Sequence, residues 1–142
     1  MANDLFDTAR SGFLDGSIDM NTAVIKVALV RSYTFTTSHT YMSDVTGAGG
    51  SVVGTPQALS SVSITNGSFD AADVTYTAVS AGAAIPALII YQSSAVTGGS
   101  DVASSSQRLI AYIDTAGGLP ITPTGNDIHV IWDNSGYGIF TI

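Results

Sequence analysis

Two stretches constrain this chain more than any others: IPALIIY (85–91) and LIAYI (109–113) are apolar without a break and too short for a self-supporting helix. A strand with one wet face alternates apolar and polar residues. One that is apolar throughout is expected to be covered on both faces, by the rest of its own chain or by a partner. Pro86 has no N–H to give a ladder, so its strand is expected to begin at an edge or a bulge.

Similar β-branched runs recur from Thr22 onward, separated by turn residues. VIKVALV (24–30), SVSITNGSF (61–69), DVTYTAVS (73–80), IPALIIYQ (85–92), RLIAYID (108–114) and DIHVIWD (127–133) each have strand length and composition. With a short final strand they predict a mainly β fold: one β-sandwich or β-barrel-like body of about seven strands over residues 22–142, its strand order left open. In DVTYTAVS, Val74, Tyr76, Ala78 and Val79 mostly alternate with Thr75 and Thr77, which suits one wet face. Asn66-Gly67 is a hairpin turn signal, and residues 134–136 are expected to turn a closing hairpin. Three segments read as loops: 32–58, 93–107 and 115–126.

Residues 1–21 read as an N-terminal helix or arm. In NDLFDTARSGFLDG (3–16), Leu5, Ala9 and Phe13 follow helical spacing with Phe6 and Leu14 beside them, Asn3 is a candidate N-cap and Gly16 a candidate stop. A helix packed on its own core is favoured over an arm docked on a neighbour. Leu5, Phe6, Phe13 and Leu14 are nevertheless the candidate capsid or subunit interface.

Composition narrows the function classes. Of 142 residues, 45% are hydrophobic and 11% charged, so much of the surface is Ser, Thr, Gly and Ala, which favours assembly with a partner or with copies of itself. The net charge of −7 comes from aspartate alone, opposed by Arg10, Lys26, Arg31 and Arg108. A phosphate backbone would be repelled, so no nucleic-acid partner is expected. The chain has no cysteine, hence no disulfide or thiol chemistry. MANDLFDTAR lacks a basic region followed by an apolar run, and no apolar stretch has the length of a membrane helix, which predicts no membrane partner and no export.

DIHVIWDNSGYGIF (127–140) is the most suggestive place for chemistry, holding a histidine, two aspartates and the sole tryptophan. On a strand, Ile128, Val130 and Trp132 share one face and His129 and Asp133 the other, about 13 Å apart, too far for a dyad. Asp133-Asn134-Ser135-Gly136 reads as turn chemistry, and the pairs Asp70/Asp73 and Asp15/Asp19 read as aspartates that bind local amides. No spacing among His39, Asp114, Asp127 and His129 specifies a metal, neither histidine adjoins a nucleophile elbow, and no glycine-rich segment matches a phosphate loop. No catalytic residue, cofactor or metal is expected, and the chain reads as a non-enzyme.

Three segments carry a family resemblance: FLDGSIDMNTAVIKVALVRS (13–32), YMSDV (41–45) and RLIAYIDTAGGLPITPTGNDIHVIWDNSGYGIFTI (108–142). Together they resemble small β-rich virion structural proteins of tailed bacteriophages, most like the capsid decoration (cement) proteins of the head. Similar proteins often carry an aromatic residue where this chain has Met20. The resemblance implies a structural protein made in the host cytoplasm and carried on the capsid surface of the virion. Its partners would be the major capsid protein and further copies of itself, a trimer being the first expectation. A tail, neck or collar component of the same virion is the alternative, and a carbohydrate-binding domain using Trp132 or the six tyrosines is the second.

Overall fold

The computed structural model describes residues 3–142, so Met1 and Ala2 of the expected N-terminal segment lie outside the described residues. In it, β7 (Ala87–Ser94) is buried at all 8 positions. The reason is its place: it is the middle strand of a 5-stranded antiparallel sheet ordered β1 (Asp4–Leu5), β8 (Arg108–Ile113), β7, β2 (Val24–Arg31), β3 (Ser51–Ala58). The mainly β expectation is met, and both uninterrupted apolar runs fall on adjacent interior strands. Pro86 lies outside an edge after all. It immediately precedes the central strand, where Ile85 forms an isolated bridge with Ile121 instead of a ladder.

Both faces of this sheet are covered by the chain itself. Leu29, Leu88 and Ile113 are successive register partners and share one face. Over them lies a 2-stranded sheet of β6 (Val74–Tyr76) and β9 (Ile128–Val130), whose Ile128 and Val130 face inward with Trp132, itself 7% exposed. Between Val27 and Leu29 the pairing of β2 with β3 is broken, and the Tyr76 phenol donates to the Val27 carbonyl there. On the opposite face Tyr112 stacks with Phe35 at 4.9 Å, and Phe35 meets Phe6 edge-on at 5.0 Å. Burial of these rings contributes roughly 2–3 kcal/mol each, which is why the segment after β2 is held against the sheet.

That segment, expected to be loop from 32 to 58, holds a helix and a strand. α2 (Met42–Gly47) spans 6 residues, too few to show a period in sequence. It starts where the Asp44 carboxylate accepts the Thr40 and Tyr41 N–H groups at 2.8 and 2.9 Å. β3 contains Gly54 and Pro56 and is largely exposed, as suits an edge strand, so its sequence reads as loop.

A third sheet of 3 strands runs β10 (Phe140–Thr141), β5 (Ser68–Asp70), β4 (Ser63–Thr65). Asn66-Gly67 turns β4 into β5, both residues at positive φ, as the turn signal predicts. The closing hairpin does not form. β9 pairs with β6 and β10 pairs with β5, so residues 131–139 cross from one sheet to another. The turn itself is present, with Asp133 accepting the Ser135 N–H at 2.8 Å. Its two arms are drawn apart by longer-range bonds: Trp132 N–H to Asp73 at 2.9 Å, and Ile139 N–H to the Phe69 carbonyl at 2.8 Å.

α1 (Asp7–Asp15) ends at Gly16, whose φ of 78° is the left-handed cap expected there. Its start differs from expectation. Leu5 pairs with Ala111 and the Phe6 N–H donates to the Ile110 carbonyl at 3.0 Å, so sheet pairing holds the backbone extended until Asp7. Asn3 consequently caps no helix. Its side chain accepts from Asp114 and Thr115 N–H at 3.0 and 2.8 Å and pins the edge of the sheet.

Candidate functional site

The four interface candidates are sorted by the fold. Phe6 is 0% exposed and Leu5 is buried beside it, both within the chain's own core. Phe13 is half-buried, and Leu14 projects outward at 92% exposure. Only the last turn of α1 therefore meets solvent with apolar side chains, and it does so beside a groove.

That groove, of about 370 Å³, runs between the end of α1, the Ile18–Asn21 link, the β4–β5 hairpin and β10. Its floor is a row of rings: Phe13 stacks on Phe140 at 6.3 Å, and Phe140 on Phe69 at 5.4 Å. Met20 packs along one side, and Ile64 and Ile142 stand on the other at 51% and 69% exposure. Apolar groups are thus left partly wet along the groove, Ile64 and Ile142 most of all. Of the four interface candidates, Leu5, Phe6, Phe13 and Leu14, only Phe13 lines it. Ile64 lies in the three-residue β4 and Ile142 just beyond the two-residue β10, and Phe140 meets Phe13 only because β10 adds to β5.

Acidic groups border the groove. Asp19 lines it, and Asp15 adjoins the lining residue Gly16. The Thr22 hydroxyl and then the Asn21 and Thr22 N–H groups hold the Asp19 carboxyl below the usual range, and Ser17 does the same for Asp15. Both are charged at neutral pH, and both serve the local backbone as expected of turn aspartates.

The residues singled out for chemistry lie apart. The His129 ring nitrogen Nδ1 shares a hydrogen bond with the cross-strand Thr75 hydroxyl at 3.0 Å, and His39 with the Tyr33 phenol at 2.8 Å. Asp127 accepts the Ala78 N–H at 2.8 Å and Asp70 the Ala71 N–H at 2.9 Å. Among the described residues no group of three or more His, Cys, Asp or Glu side chains comes together to hold a metal ion. Among them, too, no helix is long and apolar enough to cross a membrane. A second cleft, about 330 Å³, lies under β9 between Leu29, Leu88, Ile113 and Trp132, and its walls are mainly aliphatic.

No protein-family model matches this chain, and no curated protein matches it.

Proposed function

We propose that this protein is a structural component of a tailed-bacteriophage particle, a decoration protein that binds the outside of the head shell and bridges neighbouring capsid subunits. The observation that carries the reading is a convergence. The two longest segments that resemble virion proteins, 13–32 and 108–142, are far apart in sequence, yet both line the groove: Phe13, Ile18 and Met20 from the first, Phe140 and Ile142 from the second. Residues resembling a family of assembly proteins thus meet at an open apolar surface instead of a chemical site.

The mechanism is mechanical. A rigid body with a doubly covered sheet seats on repeated shell sites, and a cyclic oligomer, a trimer at three-fold positions, gains from several simultaneous contacts. Bridging subunits opposes their separation under internal pressure. The carbohydrate reading has less support, because Trp132 is 7% exposed and, of the six tyrosines, Tyr137 alone is exposed.

Co-sedimentation with empty, expanded shells of the encoding phage tests the proposal. Saturation at a fixed ratio of copies per shell subunit is the expected result. Absence from shells, with the protein found in isolated tails or necks, would overturn it in favour of the tail, neck or collar station.

A further inference from the structure

We infer that the groove between α1 and the β4–β5 hairpin seats a short segment of the shell protein in which an apolar or aromatic side chain is bracketed by lysine or arginine. The inference rests on the head-shell reading for the source of the segment. Its chemistry rests on charge and shape.

The groove asks for an apolar occupant because its floor is three stacked rings and its rims are Met20, Ile64 and Ile142. Its border asks for cations. The Asp19 and Asp15 carboxylates are already oriented by their turn amides, so an incoming ammonium or guanidinium meets fixed acceptors with no side chain left to order.

A second copy of this chain is a poor source of those cations. Arg10 is paired with Asp4 and Asp7 at 2.6 and 3.3 Å, and Lys26 with Asp101 at 2.8 Å. Arg108 donates to the Thr8 carbonyl at 2.9 Å and lies over the Tyr41 ring. Arg31 is left, with its guanidinium against Gly82 and its Nε buried. A two-fold contact through the groove would bring the Asp15 and Asp19 carboxylates of both copies into one interface, and any other self-contact would bring a chain of net charge −7 to a negative border. The oligomer of the proposed function is therefore built through another face.

The test uses the full-length protein and empty, expanded shells, with bound copies counted by sedimentation at low and high salt. Ile64→Asp and Ile142→Asp, both at positions more than half exposed, put a charge on the apolar rim and are each expected to weaken shell binding by about tenfold or more. The double variant Asp15→Asn/Asp19→Asn keeps side-chain oxygens for the turn amides but removes the charge. It is expected to bind several-fold more weakly at low salt and to lose most of the salt dependence seen for the wild type. Ile131→Asp, at a 73% exposed position just after β9 and outside the groove lining, is expected to bind as the wild type does.

If the wild type binds shells and the groove variants bind equally well, the inference is wrong while the head-shell reading stands. If the wild type does not bind shells, the reading fails and takes the shell segment with it. Sedimentation velocity of the free protein covers the rival occupant: if Ile64→Asp or Ile142→Asp dissociates an oligomer of the wild type, the groove belongs to a second copy and the inference is overturned.

Discussion

Phe6 and Leu14 show how differently two apolar residues of one short segment can be used. Phe6 touches the ring of Phe35 and is shut away from water, whereas Leu14, 92% exposed, leaves the end of α1. Phe6→Ala is expected to cost about 3–5 kcal/mol in urea unfolding, and Leu14→Ser to stay within about 0.5 kcal/mol. Tyr91 supplies a pH dependence. Burial, and then the nearby Asp101 charge, push its phenol up to about 12. The unfolded chain ionises this group from about pH 10, so between pH 10 and 12 the folded state binds more protons and stability falls as pH rises. Urea midpoints measured from pH 9 to 11.5 should therefore decline above pH 10, and Tyr91→Phe should reduce the slope. An unchanged slope in that variant would remove Tyr91 from the explanation.

Elements in this protein are placed more by what they meet than by their own propensity. β10 has two residues and depends on β5, and its approach relies on Gly138 at φ 57°. A Cβ there would stand 2.6 Å from the Phe69 carbonyl oxygen, so Gly138→Ala combines a strained backbone with a clash against main chain. It is expected to destabilise the fold by roughly 1–3 kcal/mol and to loosen the groove by displacing Phe140. Thermal unfolding reads the first effect. A change in the NMR shifts of the Phe140 ring protons reads the second. α2 and β3 teach the same lesson, since a six-residue helix and a Gly/Pro-containing edge strand have little local signal and gain their order from Asp44 and from pairing with β2.

On the scale of the whole molecule, the N-terminal segment is part of the core. β1 pairs with β8, Phe6 closes the aromatic face and α1 packs on β8, so this segment is no detachable arm in the chain described. Deleting residues 3–14 is expected to abolish cooperative thermal unfolding, which scanning calorimetry would show directly. A truncated chain that still unfolds with the wild-type midpoint and enthalpy would contradict this. Shell binding is accordingly tested with rim substitutions that leave the core intact.

Much of the fold is legible in the sequence. Unbroken apolar runs at 85–91 and 109–113 required a strand covered on both faces, and Asn66-Gly67 and Gly16 marked a turn and a helix end through backbone geometry that glycine permits. These are local or periodic signals, set by side chains a few residues apart. The pairing of strands is another matter. Asp133 and Ser135 specify a turn in either topology, but which strands flank it depends on Asp73 reaching Trp132 and Phe69 reaching Ile139, contacts across 59 and 70 positions of chain. The groove belongs to this second kind. Each of its apolar residues is ordinary in sequence, and only the meeting of α1 with β5 and β10 makes them one surface, because burial and stacking act through space and leave no period in the chain.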